Sequence, residues 1–235
     1  MKKMAIFVEG QTERIFAERL LSEIASSNGL QVTSYVASGG GRSGLRTLTQ
    51  IKVSGPAIGF NHFVMIVDCG TDNRVRSDIG DHYDGLVAQG FSSIIGIRDL
   101  YPDFKFADIA KVRTGLNFLL KTNPIQVLFA LGIMEIESWF IAEHTHFQRL
   151  SPALTVQLIS ANLGFDADAD DLQLRPNPAV DLHNAYHLVG FVYNKSRRTV
   201  ERTVGLLDYA RLYIETRDRF PDLQALVENI DDFLS

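Results

Sequence analysis

Five short apolar runs, separated for the most part by amphipathic stretches, constrain the fold of this chain more than any other feature. Runs of this length that end in polar residues predict buried strands, and their alternation with helical patterns favours a parallel sheet covered by helices. Apolar residues at helical spacing predict a crossover helix directly after the first run, and further helices over Leu45–Val53 and Asp103–Leu120. The five runs are Met4–Val8, Val32–Ala37, His62–Val67, Ser93–Ile97 and Ile125–Leu131.

The pattern changes after about residue 148, where short extended runs give way to helical spacing. The sequence therefore predicts an α/β core over residues 1–148 and a helical C-terminal region over residues 149–235. The helices predicted in this second region are Leu154–Leu163, Ala179–Val189, Thr199–Tyr213 and Leu223–Leu234.

The composition limits the class of protein to which the chain belongs. A chain of 235 residues with 46% hydrophobic content is long enough to bury a sizeable core. No apolar stretch approaches the roughly 18–20 residues that span a bilayer, and the first run is too short for a secretory signal, so a cytoplasmic protein is expected. Cys69 is the only cysteine, which excludes an intrachain disulfide and a cysteine-rich zinc site. The net charge of -5 argues against bulk electrostatic coating of nucleic acid, but not against a local basic groove.

Carboxylates stand at the C-terminal ends of three predicted strands. Glu9 follows the first run within Val8-Glu9-Gly10-Gln11-Thr12-Glu13, where the glycine permits a sharp turn into a helix. Asp68 follows the third run, and Glu135 and Glu137 follow the fifth. Because open α/β sheets keep their chemistry at the carboxyl ends of the strands, we expect these side chains to face one small volume.

A set of carboxylates of this kind predicts a cation site. Close carboxylates raise one another's pKa unless a cation neutralises them, and Mg²⁺ or Mn²⁺ is the natural partner of an all-oxygen set. Such an ion promotes phosphodiester cleavage by activating water and stabilising the leaving oxygen. Two assignments stay open. Asp72 is either a further metal ligand or a turn residue or helix N-cap, and at least one of Glu135 and Glu137 should face the metal.

Three segments resemble the signatures of Toprim domains, the metal-binding fold shared by topoisomerases, primases and the overcoming-lysogenization-defect nucleases. Val8–Glu13 looks like the first signature, and the apolar strand that ends in Asp68 resembles the second. Glu135-Ile136-Glu137-Ser138-Trp139 is similar to a Glu-x-Glu-x-Trp segment of small stand-alone Toprim proteins, often encoded beside an ABC-type ATPase in bacterial anti-phage defence. The resemblance covers about residues 4–148, and it implies a Toprim-like parallel sheet flanked by helices, with a helical C-terminal elaboration.

The second signature departs from the family pattern. Toprim proteins usually carry Asp-x-Asp there, whereas this chain has Asp68-Cys69-Gly70, with Gly70 in place of the second aspartate. Either Asp72 reaches the metal through a loop, or Asp68 acts with the third cluster instead, or the metal is bound weakly and the domain is a binding module. The implied roles are general base or metal ligand for Glu9, catalytic residue and metal ligand for Asp68, and metal ligand for Asp72, Glu135 and Glu137.

Two groups of basic residues are candidates for contacting a nucleic-acid backbone. Arg42 lies in the glycine-rich segment Gly39–Gly44, which either lets a phosphate backbone approach closely or is only a flexible connection. The second group lies in the helical region and forms either a phosphate-contacting patch or a solvated helix face. Its members are Lys195, Arg197, Arg198 and Arg202.

The expected function is that of a Mg²⁺-dependent nuclease that cleaves DNA or RNA, with a slight preference for a folded RNA such as tRNA. The resemblance alone implies a toxic effector of anti-phage defence and an ABC-type ATPase as its partner, and it leaves open whether the chain forms a homo-oligomer. The main alternative is a catalytically weak Toprim-like adaptor that binds the ATPase or nucleic acid without cleavage. A phosphoryl-transfer enzyme for small nucleotides is less favoured because the chain has no P-loop pattern.

Overall fold

A six-stranded, mostly parallel sheet organises the chain in the computed structural model, which describes residues 1–26, 29–40, 45–71 and 74–235. The strands are β1 (Lys2–Val8), β2 (Leu30–Ser38), β3 (Thr47–Ser54), β4 (His62–Asp68), β5 (Ser93–Asp99) and β6 (Val127–Gly132). They lie in the order β3-β2-β4-β1-β5-β6. Strand β1 pairs in parallel with β4 and β5, β2 pairs in parallel with β4, and only the β2–β3 pair is described as antiparallel. All five predicted runs coincide or overlap with strands, so the predicted α/β class is confirmed.

Helices flank this sheet and make up most of the C-terminal half of the chain. Three short 3₁₀ helices, Phe106–Asp108, Leu172–Leu174 and Thr216–Arg219, accompany the α-helices. None of the helices in the described ranges is both long enough and apolar enough to cross a membrane. The α-helices are α1 (Gln11–Ala25), α2 (Arg74–Ala88), α3 (Ile109–Asn117), α4 (Glu137–Ala142), α5 (Thr145–Leu150), α6 (Val156–Leu163), α7 (Pro178–His187), α8 (Arg197–Leu206), α9 (Tyr209–Ile214) and α10 (Pro221–Leu234).

Helix α1 begins where the first sequence motif predicts it. Gly10 is the N-cap residue, and the Glu13 side chain returns toward it, since a Cβ atom on Gly10 would lie 3.6 Å from Glu13 Oε2. An acidic residue in the first turn also interacts favourably with the helix dipole. The helix packs against β1, β2 and β4 through a buried apolar stripe. The stripe contains Ile15, Phe16, Leu20 and Leu21.

The prediction of a helix over Leu45–Val53 is wrong, because this segment forms strand β3 in a hairpin with β2. Its apolar residues recur at intervals of three, which resembles a helical pattern, but β-branched residues stand at every second position. Such residues are restricted at χ1 and favour extended backbone. Most of β3 is exposed, so burial does not impose an alternating apolar pattern on the strand. The β-branched residues are Thr47, Thr49, Ile51 and Val53.

Two predicted helices have different bounds because carboxylates cap the helix ends. Asp108 Oδ2 accepts a hydrogen bond of 3.0 Å from the Lys105 amide, so the helix predicted from residue 103 starts later, with the 3₁₀ turn Phe106–Asp108. Asp208 Oδ1 accepts one of 3.0 Å from the Arg211 amide and begins a new helix. The predicted helix over residues 199–213 is therefore two helices, α8 and α9.

The chain folds into two compact units, each built from separate stretches of sequence. Unit 1 consists of Met1–Arg98, Ala110–Ala130 and Ala225–Ser235. Unit 2 consists of Asp99–Ile109 and Leu131–Gln224. The boundary that the sequence predicts at residue 148 stays a prediction.

Candidate metal centre

Three buried carboxylates form a compact cluster in unit 2. Asp99 is the last residue of β5, Glu135 lies three residues beyond β6, and Glu137 is the first residue of α4. Each offers a carboxylate oxygen, and these three oxygens lie within 4.8 Å of one another. The exposed fractions are 2% for Asp99, 7% for Glu135 and 0% for Glu137. We call these three residues the acidic triad.

The backbone around the triad is held by a continuation of strand-like pairing. Leu100 N donates to Gly132 O over 3.0 Å, and Tyr101 N donates to Met134 O over 2.8 Å. Asp99 Oδ1 accepts a hydrogen bond of 2.8 Å from the amide of Ile136, which joins the first member of the triad to the segment carrying the other two. Position 132 requires glycine, since a Cβ atom there would collide with Asp99 Oδ1 and lie 2.7 Å from the Ile136 nitrogen.

The ammonium of Lys195 lies among the three carboxylates. Its Nζ atom is 3.0 Å from Glu135 Oε1, 3.3 Å from Glu137 Oε1 and 3.9 Å from Asp99 Oδ2. The Lys195 backbone has a φ angle of +54°, in the left-handed region that residues with a Cβ atom rarely adopt. Such a conformation costs on the order of 1 kcal/mol, which the contacts of the side chain offset.

Further hydrogen bonds fix two of the carboxylates but leave one buried carboxylate oxygen and a neighbouring hydroxyl without partners among the described residues. The amide of Ala179, in the first turn of α7, donates to Glu135 Oε2 over 2.8 Å, and Tyr193 Oη donates to Glu137 Oε1 over 2.7 Å. Glu137 Oε2 and the neighbouring Ser138 Oγ are buried without a hydrogen-bond partner among the described residues. Buried polar atoms normally have partners, so an unsatisfied carboxylate oxygen points to an additional ligand.

The electrostatics of the triad show an excess of negative charge. Burial raises the pKa of the Glu137 carboxyl above its ordinary value, and the Glu135 carboxylate adds to the rise, although the Lys195 ammonium opposes it. Burial by itself lowers the pKa of the Lys195 ammonium, but the carboxylates of Glu137, Asp99 and Glu135 outweigh this and raise it. One ammonium thus serves three carboxylates, and a further positive charge would stabilise their ionised forms.

The donor set of the triad fits a hard divalent cation. It contains only carboxylate oxygens, which suit Mg²⁺, Mn²⁺ or Ca²⁺ better than a metal that prefers sulfur or imidazole. The Oε2 atom of Glu137, which has no hydrogen-bond partner in the described part of the chain, offers a ligand position. The acidic triad can therefore hold a metal ion.

Glu9 and Asp68, predicted to share the site, lie in unit 1 at the ends of the neighbouring strands β1 and β4. Val8 is the register partner of Asp68, so Glu9 stands one residue beyond that pair, half-buried. Asp68 Oδ2 lies 3.4 Å from Arg14 Nε, and Asp68 Oδ1 accepts a 3.0 Å hydrogen bond from the Gly70 amide. Burial raises the pKa of the Asp68 carboxyl, although Gly70 and Arg14 oppose the rise. Their roles as metal ligands stay predictions.

The remaining predicted residues fall into three groups. Asp72 and Arg42 lie outside the described residues. Of the basic cluster, Lys195 contacts the triad. Arg197 forms a 2.8 Å ion pair with Glu201, and Arg198 is exposed. The Arg202 guanidinium lies over the rings of Tyr186 and Phe191 and donates to the carbonyl of Val192. A nucleic-acid-binding role for these residues stays a prediction.

Sequence reasoning missed Asp99, although the signal for it was present. The run Ser93–Ile97 predicts a strand, and Asp99 stands two residues after this run, close to the place that Asp68 has directly after its own run. The rule that carboxylates at the ends of parallel strands are candidate ligands therefore applies to Asp99 equally. In contrast, Lys195 contacts the triad from a left-handed backbone conformation, which the sequence does not predict.

Comparisons of the chain with protein-family models, with curated proteins and with solved structures gave no match. The resemblance to Toprim domains therefore rests on the sequence motifs alone. The argument for a metal centre rests on the geometry of the triad.

Proposed function

We propose that this chain is a Mg²⁺- or Mn²⁺-dependent nuclease of Toprim-like fold that cleaves DNA or RNA. The observation that carries the proposal is the acidic triad, three buried carboxylates that share the Lys195 ammonium and include one oxygen without a hydrogen-bond partner among the described residues. Buried carboxylates are costly without a cation partner, and hard divalent ions are the usual partners of phosphodiester chemistry. The sequence motifs supply the choice of a nucleic-acid substrate.

In this proposal the residues of the triad hold the cation, and hydrogen bonds orient two of their carboxylates. Asp99 is fixed by the Ile136 amide, and Glu135 by the Ala179 amide, so two carboxylates have little rotational freedom. A bound divalent ion would supply Lewis-acid polarisation of a phosphoryl oxygen and an activated water. Burial of the triad limits access of bulk water and strengthens the interaction of its carboxylates with a positive charge.

The decisive experiment measures cleavage by the purified protein with Mg²⁺ or Mn²⁺. The substrates are plasmid, single-stranded DNA and total tRNA, and the assay is run with and without a candidate ABC-type ATPase partner. We expect cleavage by the wild type and its loss in Glu135→Gln, whereas the matched control Glu215→Gln, a 60% exposed carboxylate paired with Arg211, retains activity. Intact substrates under all these conditions would refute the nuclease assignment.

The predicted role of Glu9 is tested separately. Expression of the wild type and of Glu9→Ala in cells compares toxicity and the integrity of nucleic acids. Toxicity that disappears in Glu9→Ala supports its predicted role as general base or metal ligand. If both proteins are toxic to the same degree, Glu9 does not have that role. The proposal then depends on the acidic triad, which Glu135→Gln tests.

The cellular role belongs to the proposal on the strength of the resemblance alone. A toxic nuclease requires control, and an ABC-type ATPase partner in anti-phage defence would supply it. We further propose a cytoplasmic location and a slight preference for tRNA, since a folded RNA can be recognised by shape through a local basic groove.

A second candidate function is a Toprim-like adaptor that binds a partner without cleavage. The specific observation in its favour is that Lys195 already contacts all three carboxylates, so an ion-pair network can hold them without metal. Gly70, at the position where the family has its second aspartate, favours the same alternative. Calorimetric titration with Mn²⁺ separates the two functions, since an adaptor shows no binding that depends on the triad.

A further inference from the structure

Lys195 is placed where a metal ion bound by the triad would need to lie. The ammonium contacts Glu135 Oε1 and Glu137 Oε1, at 3.0 and 3.3 Å, and these oxygens belong to the residues that offer ligand atoms to a cation. Two cations cannot share these oxygens at close range without strong repulsion, because buried charges are weakly screened. Occupation of the triad by Lys195 and by a divalent ion is therefore mutually exclusive.

Several features show that the lysine is held less firmly than the carboxylates. Its side chain is 39% exposed, whereas the side chains of Glu135 and Glu137 are 9% and 0% exposed. Its backbone has a left-handed φ angle, which a residue with a Cβ atom adopts only at a cost. The carboxylates keep other hydrogen bonds, to Ala179 and Tyr193, when the lysine leaves.

We propose that Lys195 is a tethered counter-ion that holds the metal-free triad together and is displaced by a divalent cation. This inference rests on the proposed metal site. The buried Oε2 atom of Glu137, which has no hydrogen-bond partner among the described residues, gives the ion that replaces the ammonium a further ligand. Competition with Lys195 then sets the metal affinity, and the protein folds without metal because the ammonium partly neutralises the triad.

The first test is calorimetric titration of Mn²⁺ into the wild type, Lys195→Met and the control Lys121→Met. Methionine is one heavy atom shorter than lysine and similarly unbranched, but it carries no charge, and Lys121 is a 62% exposed lysine paired with Asp84. We expect Lys195→Met to bind Mn²⁺ roughly tenfold or more tightly than the wild type, and Lys121→Met to bind equally. Equal or weaker binding by Lys195→Met, with binding by the wild type intact, overturns the inference and leaves the metal site standing. Absence of binding in all three proteins refutes the metal site itself.

A second measurement uses only the wild type, and it decides the question if Lys195→Met does not fold. The protein is acylated at its lysine amines with and without Mg²⁺, and the extent of labelling at each lysine is read by peptide mass spectrometry. We expect Mg²⁺ to increase labelling of Lys195 severalfold relative to Lys121, because the displaced amine becomes accessible. Unchanged or reduced labelling of Lys195 at a Mg²⁺ concentration shown by calorimetry to saturate the site overturns the inference.

Discussion

The two units stabilise glutamates of low exposure in different ways. In unit 1 the Glu18 side chain is 10% exposed and has a full set of partners. It accepts a 2.7 Å hydrogen bond from Ser34 Oγ and lies 3.0 Å from an Arg14 nitrogen and 2.6 Å from Lys52 Nζ. In unit 2 the wholly buried Glu137 shares one ammonium with two other carboxylates, and one of its oxygens is unsatisfied.

The opposite pKa shifts of these glutamates show what the difference means. Burial by itself raises the pKa of Glu18, but the hydrogen bonds and charges of Lys52, Ser34 and Arg14 lower it below its ordinary value. Burial likewise raises the pKa of Glu137, and there the single ammonium does not reverse the rise. A carboxylate with matched partners is a structural ion pair, whereas a surplus of carboxylates is the arrangement that a metal ion can complete.

The largest expected effect distinguishes the acidic triad from the paired carboxylates of unit 1. We expect Glu137→Gln to weaken Mn²⁺ binding about 1,000-fold, because loss of a ligand should exceed the 10–100-fold effect usual for groups that only orient ligands. Asp68→Asn should leave the affinity within about threefold of the wild type. Arg14 and the Gly70 amide already satisfy the Asp68 carboxylate. Calorimetric titration measures both.

The reverse result would move the metal centre to unit 1. If Asp68→Asn lost Mn²⁺ binding and Glu137→Gln kept it, the sequence-based assignment of Asp68 would be confirmed and the triad would be a structural ion-pair network. Equal losses in both variants would show that both carboxylates are ligands, as the sequence motifs imply.

The strands could be predicted because burial leaves a direct trace in the sequence. A strand covered on both faces, such as β1, is a continuous apolar run, and β1, β2, β4, β5 and β6 were found in this way. The edge strand β3 has mostly exposed residues, so its apolar residues follow no burial constraint and their spacing of three suggested a helix. The exposed edge of a sheet is thus the part of this fold that the apolar pattern describes least well.

The candidate site was only partly predictable because it depends on contacts between distant segments. Glu135 and Glu137 could be proposed from their place after a strand. Lys195 follows 58 residues after Glu137 and looked like one member of a basic cluster with Arg197. The Lys195 residue has a left-handed backbone and its ammonium contacts the triad, while Arg197 pairs with Glu201 on α8. Sequence proximity of basic residues therefore did not predict a shared role.

The pH dependence of stability provides the next largest effect and applies to unit 2. Burial lowers the pKa of His146 to about 4 from an ordinary value of 6.5, although the Glu143 carbonyl opposes the shift. The native state therefore binds fewer protons than the unfolded state. The burial of neutral His146 therefore makes the free energy of unfolding depend on pH. The native state keeps its full stability with respect to this group above pH 6.5, and it loses about 3 kcal/mol as the pH falls toward 4.

Urea unfolding at pH 7 and at pH 4.5 measures this change for the wild type and for His146→Asn. The asparagine amide can still donate to the Glu143 carbonyl, which lies 2.7 Å from His146 Nδ1, but it does not titrate. We expect the variant to lose less stability than the wild type between the two pH values. The same loss in both proteins would show that His146 is not the titrating group.

A smaller effect is expected from the matched carboxylate of unit 1. Glu18→Gln removes a charge that Arg14 and Lys52 both contact, and Arg14 is buried, so we expect a loss of about 2 kcal/mol in the free energy of unfolding. Its Mn²⁺ affinity should match that of the wild type. Glu23→Gln is the control, because Glu23 is 38% exposed and pairs only with the exposed Arg19 among the contacts described. Equal stability of the two variants would contradict a structural role for the Glu18 network.

The smallest expected effect comes from Arg197→Gln, which tests whether Arg197 and the nearby Lys195 differ in their influence on metal binding. Arg197 is two residues from Lys195 but pairs with Glu201 on the exposed surface of α8, at i and i+4. Exposed pairs of this kind contribute little, so Arg197→Gln should change the free energy of unfolding by no more than about 0.5 kcal/mol. It should also leave Mn²⁺ affinity unchanged, because the Arg197 guanidinium pairs with Glu201 on α8, whereas Lys195→Met increases that affinity. A shift in metal affinity of the same size in both variants would show that general basic charge, and not the position of the Lys195 ammonium, controls the site.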